Sequence, residues 1–143
     1  MTWNGTPGRV VFWRSCATSP SIPASTWTGP TGFSAGRDDM VDEGKGGYAA
    51  GELPITGAGM VDIEFSPMFA IAASGRRIAR IYLNGINIGQ AEDTSAARCS
   101  VLVVTHALVK PGDVINFQVY QTGDTSVGLE TAGASSYMSV LSR

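Results

Sequence analysis

At 143 residues the chain has the length of one domain and can bury a core without disulfides or metals holding it together. Hydrophobic residues make up 43% and charged residues only 15%, so Ser, Thr, Gly, Asn and Gln must form much of the surface, as suits a surface partly covered in an assembly. The net charge of -2 supplies no basic footprint for a polyanion, which excludes nucleic acid as an expected partner.

Residues 1–36 are rich in Ser, Thr, Pro and Gly, and Pro7, Pro20, Pro23 and Pro30 interrupt regular pairing. Trp3, Trp13 and Trp27 all fall here, and a flexible linker does not normally carry three tryptophans. The stretch reads as an extended arm over residues 1–30, with one short strand at 9–13. Its aromatic anchors are buried either against a partner or on their own domain. The first residues lack a basic start followed by an apolar run, so no export signal is expected. No apolar stretch approaches the ~20 residues that span a bilayer, so no membrane is expected either.

A short strand is expected at 33–41. The acidic group Asp38, Asp39, Asp42 and Glu43 could offer oxygens to calcium, but the spacing fits no EF-hand and a solvated loop is the plainer reading. Gly44, Gly46 and Gly47 with Lys45 do not follow the order of a phosphate loop, and no helix follows them.

Strand patterns then continue to the end. Residues 60–65 alternate, with Val61, Ile63 and Phe65 on one face and Asp62 and Glu64 on the other. Residues 68–71 are apolar and less regular. Residues 76–83 set Ala79, Ile81 and Leu83 against Ile78, Arg80 and Tyr82, then meet Asn84-Gly85, the pair that tolerates the positive φ of a type I′ hairpin turn. Arg76 and Arg77, at the strand start, read as rim charges.

Residues 100–108 are β-branched and aliphatic, as for a strand covered on both faces. Pro111-Gly112-Asp113 predicts a tight turn. Residues 114–121 alternate Ile115, Phe117 and Val119 with Asn116, Gln118 and Tyr120, and a last strand is expected at 136–141. No segment shows a helical period, so the fold class is all-β, an antiparallel sandwich or barrel.

Little here supports catalysis. His106 is the only histidine, and no GxSxG-type nucleophile motif accompanies it. One histidine with the distant Cys16 and Cys99 cannot make a usual zinc site, and those cysteines have no metal spacing. A disulfide between them has no support. No cofactor, metal site or catalytic constellation is expected, and the chain reads as non-enzymatic.

The order of elements carries a resemblance. A Gly-led strand at 59–65, an arginine-bearing strand into Leu83-Asn84-Gly85, an aliphatic strand, Lys110-Pro111-Gly112-Asp113 leading into Val114-Ile115-Asn116-Phe117-Gln118-Val119-Tyr120-Gln121, and a closing Ser-Tyr-Met-Ser-Val-Leu strand follow in turn. This set resembles the globular heads of the complement and tumour-necrosis-factor superfamily, in the versions found in bacteriophage virion proteins. The resemblance covers residues 30–143. It implies a jelly-roll sandwich head over 31–143 that forms a homotrimer, with an inner sheet built from residues 9–13, 59–69, 98–105 and 136–141. Those strands are apolar on both sides, as between a core and a subunit interface.

On this reading Phe65, Met68, Val101, Val103 and Tyr137 serve the trimer interface, and Trp3, Trp13 and Trp27 contact the shell. The implied role is a virion structural protein assembled in the host cytoplasm. Decoration of the outer shell, with the major capsid protein or another virion protein as partner, is the first reading. A minor tail or fibre-tip protein whose loops, such as 122–126, bind a receptor or glycan is the second. A hydrolase using His106 and a cupin-like sugar binder are weaker, the latter for want of metal-binding histidines.

Overall fold

Alternating apolar and polar residues fold here into two packed antiparallel sheets, in a computed structural model that describes residues 10–35 and 48–143. In chain order the strands are β1 (Val10–Cys16), β2 (Ser21–Pro23), β3 (Phe33–Ala35), β4 (Glu52–Pro54) and β5 (Gly59–Ser66). There follow β6 (Met68–Phe69), β7 (Arg77–Leu83), β8 (Ile86–Asp93) and β9 (Cys99–Ser100). The last are β10 (Val103–Val109), β11 (Val114–Gln121), β12 (Ser126–Gly128) and β13 (Tyr137–Ser142), with one short 3-10 turn at Ala132–Ala134. The first sheet runs β10-β5-β13-β1-β3 and the second β4-β11-β7-β8, while β12-β2 and β6-β9 form small ribbons.

The period of two sorts side chains between core and surface. Val61, Ile63 and Phe65 of β5, Met138 and Val140 of β13, and Ile115, Phe117 and Val119 of β11 are fully buried. Phe65 meets Phe117 edge-on across the sheets, ring centroids 5.4 Å apart, and Phe12 stacks on Phe117 at 6.3 Å. Burying each such side chain stabilises the fold by roughly 1.5–3 kcal/mol.

Turn chemistry fixes the register. Asn84 and Gly85 adopt φ of 50° and 81°, as the β7–β8 hairpin requires. Asn84 also reaches the next turn: its Nδ2 donates to Asp113 Oδ1 (3.0 Å) and its Oδ1 accepts from the Val114 amide (2.9 Å). At the other edge Thr105 Oγ1 donates to the Ile88 carbonyl (2.8 Å), tying β10 to β8. A Cβ on Gly89 would stand 2.9 Å from Val103 Cγ1, so glycine permits this approach.

Three expectations change. Residues 10–30 are not an arm: β1 lies between β13 and β3, with Val11 and Phe12 fully buried, and β2 pairs with β12. Pro20 and Pro23 stand beside and at the end of β2, where a missing amide hydrogen is tolerated. The aliphatic run is covered on one face only within a single chain: Val103 and Val109 are buried, whereas Val104 and Leu108 are exposed. Arg77 is no rim charge: it is fully buried, with Nη1 donating to the Ala97 carbonyl and to Cys99 Sγ (3.2 Å), and its guanidinium lies 5.9 Å from the Phe69 ring centroid. Arg76 is the exposed one, bonded to Glu92 through Nε and Nη2 at 2.9 and 2.8 Å. Only 33–35 of the expected strand at 33–41 is described. The acidic group Asp38, Asp39, Asp42 and Glu43, and the glycines near Lys45, lie outside the described residues.

Candidate assembly surface

The face of the first sheet that turns away from the core is assembled from four strands in register. β10 sets Val104 opposite Glu64, His106 opposite Asp62 and Leu108 opposite Met60 on β5. β13 sets Ser139 opposite Glu64 and Leu141 opposite Asp62, and Trp13 of β1 faces Ser139. Leu108 is 71% exposed and Val104 60%, with Met60 and Leu141 at 36% each and Leu102, just before β10, at 51%. Of the seven large apolar side chains exposed among the described residues, these five belong to this face and its margin. Clustered apolar exposure of this kind marks an interaction surface.

At its centre Trp13 stacks on Tyr137, ring centroids 6.5 Å apart and planes 17° from parallel. The Tyr137 hydroxyl donates to Glu64 Oε2 at 3.0 Å. Burial, and then the Glu64 carboxylate, push this phenol above its ordinary value. A groove of about 350 Å³ runs between Trp13, Tyr137, Asp62, Glu64, Ser139 and Leu141. Arg143 closes one end, with Nε and Nη2 both 2.9 Å from Asp62 Oδ1.

The expected interface residues divide. Tyr137 lies on this face and Met68, in β6, is half-buried. Phe65, Val101 and Val103 are at most 3% exposed and fill the protomer's own core, so they have no area left for a neighbour. Strand parity could have shown this: with Val61 and Ile63 inward, Phe65 must follow, and Met60, Val104 and Leu108 take the outer side. Trp13, expected against a shell, is stacked with Tyr137 on the candidate surface. Trp27 lies on the opposite sheet against Tyr120, ring centroids 5.0 Å apart. Trp3 lies outside the described residues.

His106 is exposed on the outer face. Cys16 and Cys99 are both free thiols, and burial pushes the Cys16 thiol up to about 11, which keeps it protonated and inert.

Two facing antiparallel sheets with this strand order form a jelly-roll sandwich of the tumour-necrosis-factor-like type. Eiger TNF from S. frugiperda matches with a TM-score of 0.66 at 10% identity, over 96% of this chain and 93% of that one. Murine APRIL at pH 8.0 matches with a TM-score of 0.63 at 12% identity, over 94% of this chain and 98% of that one. No protein-family model and no curated protein sequence matches the chain.

Proposed function

We propose that this chain is a non-enzymatic structural head that assembles as a homotrimer through the outer face of its first sheet. The observation that carries this reading is the apolar cluster of Met60, Val104, Leu108 and Leu141 on that face. A lone chain leaves it in water, and a second and third copy cover it at the benefit of about 25 cal/mol per Å² of apolar surface removed from water. The jelly-roll fold and the aromatic pair at the centre of the face are in keeping with such packing.

The mass of the purified chain in solution tests the assembly. The expected value is three times the 14.9 kDa protomer. Leu108→Arg, on an exposed position, should leave the protomer folded and shift the mass toward one chain. A wild-type chain that stays monomeric at micromolar concentration removes the proposal.

Within that reading, the resemblance of residues 30–143 to the heads of bacteriophage virion proteins supports a capsid decoration subunit bound to the outer shell. Because β1 and β2 are strands of the head, residues 10–30 do not supply an arm for the shell contact. The alternative, a minor tail or fibre-tip head with a ligand, is favoured by the aromatic and polar outer face of the second sheet. Antibody labelling of intact particles distinguishes them: label over the shell supports decoration, label at the tail tip supports the alternative, and unlabelled particles overturn both.

A further inference from the structure

The outward face of the second sheet has a different chemistry from that of the first. Register places Arg80 of β7 between Gln118 of β11 and Gln90 of β8, with Tyr82 two residues further along the same face. Trp27 reaches this face from the segment that bridges β11 through Thr28 and Val119. The Arg80 guanidinium carbon lies 3.5 Å from the centre of the Trp27 ring and 4.4 Å from that of Tyr82. Arg80 Nε donates to Gln118 Oε1 at 2.8 Å, which fixes the plane of the group.

Hydrogen bonds inside the face leave it rich in donors. Gln118 uses its carbonyl oxygen for Arg80, and Gln90 uses its own to accept from Asn87 Nδ2 at 3.0 Å, so each keeps its amide nitrogen for another partner. Arg80 Nη1 and Nη2 make no hydrogen bond or ion pair with any described residue. The one carboxylate of β8 on this face opposite β7, Glu92, is held at two atoms by Arg76. Partial burial lowers the Arg80 pKa from its ordinary value, with only Tyr82 acting against it. A planar cation is thus immobilised against two rings and, among the described residues, has no counter-ion and stands beside two amide nitrogens that make no hydrogen bond.

This set matches an acceptor-rich, anionic and partly apolar ligand. Guanidinium nitrogens in a fixed plane bind carboxylate oxygens in pairs. Amide donors suit ring hydroxyls, and half-exposed aromatic rings offer a surface to the C–H side of a sugar. A polyanion such as nucleic acid would require several cations in a row, and here Arg76 is already neutralised. We propose that the outer face of the second sheet binds a carboxylate-bearing saccharide, with Arg80 holding the carboxylate, Gln118 and Gln90 donating to its hydroxyls, and Trp27 and Tyr82 flanking it. This site is separate from the assembly face and does not depend on trimer formation.

Titration of the full chain with 3′-sialyllactose and with tri-galacturonate, using lactose and maltotriose as neutral counterparts, tests the proposal by calorimetry and tryptophan fluorescence. Saturable binding of at least one acidic sugar, with the neutral ones at least tenfold weaker, is the expected result. Sialate and uronate arms separate the two sources of the carboxylate. Arg80→Gln should weaken binding at least tenfold, and Arg80→Lys, which keeps the charge and loses the paired geometry, several-fold. Thermal unfolding of each variant checks that it is folded, and Arg80→Lys carries the test if Arg80→Gln is not. No binding of either acidic sugar, equal binding of the neutral ones, or an affinity indifferent to a folded Arg80 variant overturns the proposal. Mass measured on the same samples keeps loss of assembly distinct from loss of sugar binding.

Discussion

Asn84 joins two turns with one carboxamide, and the acceptor of its amide nitrogen is a carboxylate with unusual support. Asp113 also accepts from the Lys110 ammonium at 2.7 Å and the Lys110 amide at 3.0 Å. The Lys110 side chain first, then Asn84, hold the Asp113 carboxyl below its ordinary value. A carboxyl depressed in the folded state stabilises the fold above its unfolded pKa, and that contribution is lost as pH falls through the folded one. Urea unfolding should therefore show stability declining below about pH 4, the ordinary carboxylate range, and Asp113→Asn should flatten part of that decline. Arg77 yields a second expectation. Its replacement by Ala removes carbonyl contacts and buried volume and should cost about 3 kcal/mol in urea unfolding. Arg77→Met, of similar length and without the charge or the unpartnered Nε, should cost less. Parity along 77–83 already placed Arg77 inward with Ala79 and Ile81. Its charge argued otherwise, because a line of sequence does not show that the Ala96 and Ala97 carbonyls close over it.

Among the elements, β1 and β2 stand where an extended arm with a single strand was expected. Removal of residues 1–25 takes out the strand between β13 and β3, together with buried Val11, Phe12 and Ile22. That truncation should abolish cooperative unfolding by circular dichroism, whereas removal of 1–9 leaves every described strand intact and should preserve it. The hairpin at Asn84-Gly85, the turn at 110–113 and the alternation of β5 and β11 were readable because local chemistry determines them. The place of β1 in the first sheet came only with the resemblance, which set 9–13 in one sheet with 59–69 and 136–141; local chemistry does not give it, since its partners, β13 and β3, are set by long-range packing and the prolines around it resemble those of a linker. Parity, applied strictly, would have corrected the interface list as well: Phe65 and Val103 belong with the core, Val104 and Leu108 with the outer face.

For the molecule as a whole, the two outer faces differ in kind, one setting exposed apolar side chains of β10 beside the carboxylates of β5 and one built of amides, rings and the Arg80 side chain on β7 and β11. Bulk composition leads to the expectation of a partly covered surface and says nothing of which sheet would carry it. If the apolar face is covered by copies of the chain, unfolding is coupled to dissociation, and the melting midpoint should rise with protein concentration. In Leu108→Arg it should not, as differential scanning fluorimetry across a hundredfold dilution series can check. The pairing of Val10 with Leu141 also bears on how the chain is made in a cell. A nascent chain exposes the oily Val11 and Phe12 long before β13 has been synthesised, and folds dominated by such distant pairings form slowly. During that wait the early strand is open to misassociation, so chaperone supply and growth temperature should govern the yield of native protein.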